Sequence, residues 1–352
     1  MKLFACQACG QPLDFENTHC ERCKRRLGFD PGRGVLVALD PREGSFSAAD
    51  EPARRYRFCA NAAHEACNWL LGEAESGSFC RACRHNRTIP NLGDLEHAIR
   101  WRRLEAAKHR LFYSLLALSL PLVTRAEDPA GLAFDFLADP AEGTGEGPSV
   151  LTGHDEGLIT LVIAEADDAE RERRRRAMGE PYRTLLGHFR HEVGHYYWDR
   201  LIRDDPSIDA FRALFGDERA DYGEALKAHY ANGPKPDWQE HFVSAYAASH
   251  PWEDFAETFA HYLHMVDTLE TAGAFGVRVA PPNGGAAALE SRVDFDPYGD
   301  ADFARLAAAW GPIAFAANAL NRSMGQPDLY PFVLSPPVLE KLRFIHDRVH
   351  GR

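Results

Sequence analysis

The sequence has no cysteine after Cys83, no long apolar run, no apolar leader and no excess of positive charge. Each absence removes a class of protein. The longest apolar candidate, Leu111 to Val123, is interrupted by Ser114 and Ser119 and falls short of the roughly 18 residues a membrane span needs. It reads instead as the buried end of a core helix. The opening MKLFACQACG carries no apolar h-region, so export is not expected. A reducing, cytoplasmic setting follows, in which cysteines bind metal more readily than they form disulfides. The net charge is −12, from 52 acidic against 40 basic residues. That argues against a general nucleic-acid binder. The first 100 residues nonetheless hold 14 Lys/Arg and 13 Asp/Glu, so the acidity lies almost entirely beyond them.

What is present divides the chain into three expected parts: a zinc ribbon over 1–35, a second zinc-binding module over 36–90 and a larger domain over 91–352. The first 90 residues are rich in turn formers and read as metal-held structure, not a conventional core. Beyond them the spacing of Leu95, Ile99, Leu104, Ala107, Leu111, Leu115 and Leu118 predicts a helix over Leu92–Leu120, ended by Pro121. Strands are expected at Leu132–Leu137 and Leu158–Ile163, separated by a Gly/Pro-rich connection from Asp139 to Ser149. The charged stretch Asp167–Met178, including the Arg171–Arg176 run, reads as a solvated helix. A helix opening at Glu180-Pro181 should run to about Ile202 with Leu185, Phe189, Val193 and Tyr197 buried. Helical pieces follow near 207–215, 217–231, 237–248 and 251–269, then a Gly/Ala/Pro-rich loop over 272–287 and a helical tail over 300–350. The expected class is α+β.

The eight cysteines form two groups. Cys6-x2-Cys9 and Cys20-x2-Cys23 are two knuckles, and two knuckles complete a tetrahedral thiolate site for Zn²⁺. Gly10 fits the positive φ such a turn needs. Cys59, Cys67, Cys80 and Cys83 make a second set with a wider first gap, in which His64 or His85 could replace a ligand. Both ions are read as structural, holding segments too small to bury a stable core alone. The basic run Lys24-Arg25-Arg26 reads as a solvated face.

His191-Glu192-Val193-Gly194-His195 places two histidines one helical turn apart on one face, with a carboxylate beside the first. Two imidazoles can converge on Zn²⁺ while Glu192 takes a proton from a metal-activated water. Such a site needs a third ligand and an open fourth position. Glu253, 58 residues after His195, and Glu257 are again at i, i+4. Glu253 is assigned as the ligand and Glu257 as the carboxylate that orients a ligand histidine. Asp254, His261, His264 and His250 remain competing donors. His188 lies one turn before His191, where a packed or surface role is expected. Leu158–Ile163 is a candidate edge strand that could pair with an extended peptide.

HEVGHYYW followed by EDFAETFAHYLH resembles the gluzincin metallopeptidases, and the ExFAE pattern is similar to that of anthrax lethal factor. The resemblance implies the same roles for Glu253 and Glu257. It also implies a transition-state donor at Tyr246, seven residues before the ligand Glu; the alternative for Tyr246 is an aromatic that packs between helices. Over most of its length, in Cys67–Leu70, Cys80–Pro90, Glu180–Asp199, Phe215–Tyr230 and Tyr246–Met265, the chain resembles a bacterial family of zinc-binding metallopeptidases with an N-terminal zinc ribbon. The fold implied is a mostly helical, zincin-like domain with a small sheet. The reaction implied is hydrolysis of a peptide or isopeptide amide with one catalytic and two structural zinc ions. The expected partners are a peptide or protein substrate and a protein met through the ribbons, with neither nucleic acid nor membrane. The competing function is a zinc-ribbon adaptor that binds peptide without cleaving it.

Overall fold

The computed structural model describes residues 1–138, 152–177, 179–282, 289–299 and 302–352. The expected connection from Asp139 to Ser149 lies outside them, as does most of the second half of the 272–287 loop. Among the described residues the fold is mixed α+β, with nine α-helices and several small sheets. No helix there is long and apolar enough to cross a membrane. The chain forms two compact units, Lys2–Met178 and Gly179–Arg352 (the latter with Met1), so the division falls inside the span 91–352.

In the first unit, β1 (Phe4–Ala5) and β2 (Pro12–Leu13) pair ahead of a five-stranded antiparallel sheet. Its strands are β3 (Arg26–Asp30), β4 (Val35–Arg42), β5 (Ser45–Ala48), β6 (Arg55–Phe58) and β7 (Leu70–Gly72). Glu43-Gly44 turns β4 into β5, with Gly44 at φ 66°, a value that favours glycine. Val37, Leu39, Ala48, Tyr56 and Leu70 form a buried cluster, with Phe46 and Phe58 packed against it. The front of the chain thus has an apolar core as well as cysteine clusters, contrary to the expectation of purely metal-held structure. Most of its strands have only three to five residues, too few to register alternation, and the eight-residue β4 is buried continuously from Leu36 to Leu39.

The remaining strands of this unit are β8 (Asn86–Thr88), β9 (Ala133–Leu137), β10 (Gly153–Asp155) and β11 (Leu158–Val162), in the order β10-β11-β9-β8. Between β8 and β9 in sequence runs helix α1 (Leu95–Ala117), which starts where Asp94 accepts from the Glu96 and His97 amides. β11 pairs with β10 on one side and β9 on the other. It is therefore an interior strand, and the edge-strand expectation for Leu158–Ile163 is corrected. The hairpin β10–β11 uses the hydrogen-bonding edge that a peptide would have needed. Helix α2 (Asp168–Ala177) is laced by i, i+3 and i, i+4 pairs, Arg173 and Arg174 with Glu170 and Arg175 and Arg176 with Glu172.

The second unit is built around α3 (Leu185–Leu201) and α7 (Pro251–Ala274). α3 begins later than Glu180-Pro181 predicts, because the Thr184 hydroxyl accepts from the Gly187 amide and fixes the cap there. α7 is capped by the His250 ring, whose Nδ1 accepts from the Trp252 amide, with Pro251 at its first position. The two helices touch at Gly194, where a Cβ would sit 2.9 Å from Ala256 Cα. Around them lie α4 (Ile208–Phe215), α5 (Tyr222–Asn232), the single turn α6 (Trp238–His241), the hairpin β12 (Arg278–Val279) with β13 (Ser291–Arg292), α8 (Phe303–Ser323) and α9 (Pro336–Val349). α7 extends five residues beyond its predicted end, to Ala274, and β12 follows where a loop was expected.

Candidate metal centre

α3 presents His191 and His195 on one face, with ring centroids 4.9 Å apart. α7 brings Glu253 against both: its Oε2 lies 3.1 Å from His191 Nε2 and 3.4 Å from His195 Nε2. Three N and O donors held about 2.0–2.1 Å from one tetrahedral ion would be separated by about 3.3 Å. The other atoms of these groups are already engaged. His191 Nδ1 donates to Glu257 Oε1 at 2.7 Å, which turns the Nε2 lone pair toward Glu253. The Ser244 hydroxyl holds the second oxygen of Glu257 at 2.6 Å. The Tyr222 phenol donates to Glu253 Oε1 at 2.6 Å. What remains is Glu253 Oε2, buried and without a hydrogen bond, facing imidazole nitrogens. A buried carboxylate oxygen opposed to lone pairs is unfavourable unless a cation lies between them. The donor set, two imidazoles and one carboxylate, fits zinc.

Glu192 is buried beside this centre, and His188 Nε2 lies 3.1 Å from its Oε1. Burial pushes the Glu192 carboxyl up. The His188 hydrogen bond and the charges of His188, His191 and His195 outweigh that and leave it below the usual carboxylate range. Tyr246 has its ring 5.9 Å from that of His191. Burial and the nearby Glu253 charge raise its pKa, so it remains a phenol and a donor. The Trp252 ring covers His195 with centroids 4.0 Å apart.

The competing donors are engaged elsewhere. Asp254 pairs with Lys341 Nζ at 2.6 Å. His261 Nδ1 meets the Tyr330 hydroxyl at 2.6 Å. His264 Nδ1 accepts from Arg190 at 2.7 Å. His250 caps α7 and reaches the Ala220 carbonyl. Sequence reasoning missed Tyr222 and Ser244 and gave His188 only a packed or surface role. His188 had a signal, being i, i+4 from Glu192. Tyr222 and Ser244 had none, since neither spacing nor periodicity points from them to α7.

The cysteines gather in their two expected groups, each with all four sulfurs within 4.8 Å of one another. The sulfurs of Cys6 and Cys23 are 3.7 Å apart, those of Cys9 and Cys20 3.5 Å and those of Cys67 and Cys80 3.7 Å. Four sulfurs at about 2.3 Å from one ion would be about 3.8 Å apart. Both knuckles of the first group close alike. The Gly10 amide donates to Cys6 O with φ 73°, and the Lys24 amide donates to Cys20 O with φ 61°. Arg25 pairs with Asp40 and Arg26 lies over the Phe58 ring, so this basic run is tied into the sheet. In the second group, backbone amides of Trp69, Cys80 and Cys83 donate to the sulfurs of Cys67, Cys59 and Cys80. His85 turns its Nδ1 to the Leu132 carbonyl and His64 is exposed, so neither replaces a thiolate.

Residues 97–348 match the family described as "Putative zinc-binding metallo-peptidase", and residues 3–94 match a zinc-ribbon domain family. Uncharacterized proteins from two strains of Mycobacterium tuberculosis and from Mycobacterium bovis are each 44% identical to this chain over 348 residues, covering 98% of it and 94% of their own length. No solved structure matches. With more than two thirds of its length matched to the family, and a zinc-ribbon domain ahead of that match, the chain belongs to the zinc-binding metallopeptidase family so described.

Proposed function

We propose that the chain hydrolyses peptide or isopeptide amides at a zinc ion held by His191, His195 and Glu253. One observation carries this reading: a buried, unbonded Glu253 oxygen faces the imidazole nitrogens of His191 and His195, between which in sequence lies a second buried carboxylate, Glu192. Zinc bound there supplies a polarised carbonyl and an acidified water. Glu192 takes the proton of the attacking water and later gives it to the leaving amine. His188, on Oε1, holds the Glu192 carboxylate in one orientation. Tyr246 donates a hydrogen bond to the carbonyl oxygen as negative charge develops, a contact worth about 3 kcal/mol in comparable sites. Glu257 and Ser244 fix the His191 ring, and Tyr222 fixes Glu253. Each cysteine group holds structural zinc, and the ribbons offer a surface to a protein partner. The reading places the enzyme in the cytoplasm.

The test compares wild type with Glu192→Gln on a proteome-derived peptide library, with products read by mass spectrometry and zinc by elemental analysis. The expected result is cleavage by wild type only, with equal zinc in both proteins. Cleavage products shared equally by both would remove Glu192 as base. Peptide capture without cleavage by a fully zinc-loaded wild type would replace hydrolysis with the adaptor function.

A further inference from the structure

Helix α1 repeats, within the first unit, the spacing that makes α3 a metal helix. Glu105 and His109 are at i, i+4 on one face, and both are buried. That face meets the second cysteine group. His109 Nε2 lies 3.2 Å from Cys67 Sγ and 3.6 Å from Cys83 Sγ. Glu105 Oε2 lies 3.5 Å from Cys83 Sγ. One sulfur, one carboxylate oxygen and one ring nitrogen thus converge within 4.8 Å, beside a four-cysteine site already complete for one ion. On a single tetrahedral zinc, N and S donors would be about 3.5 Å apart.

The atoms not facing the cysteines are tied off, as they are at His191 and Glu253. His109 Nδ1 donates to the Glu105 carbonyl at 2.6 Å, which leaves Nε2 as the atom aimed at the sulfurs. Glu105 Oε1 accepts from Lys108 Nζ at 2.8 Å and from Asn86 at 2.9 Å, which leaves Oε2 toward Cys83. A carboxylate oxygen beside a zinc-bound thiolate, both shielded from water, is repulsive unless a cation joins them. Charge points the same way. With His109 a neutral ligand ring, four thiolates and Glu105 against the fully buried Lys108 and one Zn²⁺ leave two negative charges in the interior, and a second divalent ion cancels them.

We propose that Glu105 and His109 bind a second Zn²⁺ with Cys67 and Cys83 as shared thiolates, forming a binuclear cluster. One ion takes Cys59, Cys67, Cys80 and Cys83. The other takes Cys67, Cys83, His109 and Glu105. Both are four-coordinate with no open position, so the cluster is structural. It fastens α1 to the cysteine module through metal–ligand bonds.

The experiment uses the full chain carrying His191→Ala, which removes the catalytic ion from the count. After reconstitution under reducing conditions, three zinc per chain are expected, falling to two when Glu105→Gln is added. The same protein loaded with Co²⁺ should show a paramagnetic signal smaller than its cobalt content, because thiolate-bridged high-spin ions couple antiferromagnetically. The cobalt measurement needs no substitution on α1, so it decides the matter even if Glu105→Gln fails to fold. Two ions per chain with the full signal of two isolated Co²⁺ would overturn the proposal and leave His109 as a hydrogen-bond donor to the thiolates.

Discussion

Tyr222 and Glu257 touch no metal in the proposed site, yet each occupies the oxygen or nitrogen that the metal does not use. Glu253→Ala should lose the ion at this centre. Tyr222→Phe and Glu257→Gln should each keep it with affinity weakened by about 10–100-fold, as loss of such orienting partners typically does. Competition with a chromophoric chelator measures this, and an unchanged affinity in Tyr222→Phe would show that Glu253 needs no orientation. The two histidines and Glu192 are legible in sequence because i, i+4 spacing on a helix fixes their relation before any tertiary contact forms. Tyr222 is not, since its phenol reaches Glu253 only through the packing of α5 beside α7. His261 gives a separate test by pH. Burial holds its ring neutral, with the pKa pushed down to about 4. An unfolded chain takes up a proton near pH 6.5, whereas the native one does so only near 4. Stability is therefore intact above 6.5 and is lost as pH falls toward 4, by up to about 3 kcal/mol for this residue. At saturating zinc, His261→Gln should flatten the acid limb of the urea midpoint over that window. An acid limb with the same slope as wild type would mean that His261 titrates normally.

At the scale of elements, the site depends on how closely α3 and α7 approach, and that spacing is set by a residue with no side chain. A Cβ at Gly194 would lie 2.9 Å from Ala256 Cα and 3.1 Å from its carbonyl oxygen, contacts that backbone cannot swing away from. Gly194→Ala should push the helices apart, costing about 1–3 kcal/mol as overpacking does. It should also weaken zinc binding, because His195 follows Gly194 while Glu253 rides on the other helix. Calorimetry together with the chelator competition reads both effects. A variant with wild-type melting temperature and metal affinity would mean the helix pair adjusts freely. The long helices were legible from their apolar spacing, and α1 and α7 lie close to where that spacing puts them. The start of α3 was not, because Thr184 caps it and Pro181 does not. The five-stranded sheet was less legible still. Its strands gain stability from cross-strand neighbours distant in sequence, and β4 is buried at four consecutive residues, Leu36 to Leu39, so it shows no alternation.

For the whole molecule, the two units should respond differently to loss of metal. Lys2–Met178 contains both cysteine groups, and Gly179–Arg352 contains the His191, His195 and Glu253 centre. A three-ligand site with an open position exchanges its ion more readily than one closed by four thiolates. The second unit also has an apolar interior that needs no metal: Phe255, Phe259, Leu263 and Val266 of α7 are buried with Val193 and Tyr197 of α3 and Leu342 and Ile345 of α9. Dialysis against a mild chelator should therefore remove one zinc and abolish hydrolysis while leaving the far-ultraviolet dichroism unchanged. A thiol-directed mercurial should then release the remaining zinc, and with it the structure of the first unit. That loss is expected because the segments holding the cysteines are short strands and turns whose free energy of folding includes the free energy of metal binding. Proteolysis after the second step should cut within 2–178 and spare a helical fragment from 179 onward. If mild chelation already unfolded 179–352, the ion proposed as catalytic would itself be structural, and the apolar contacts between α3 and α7 would be too weak to hold that unit without it.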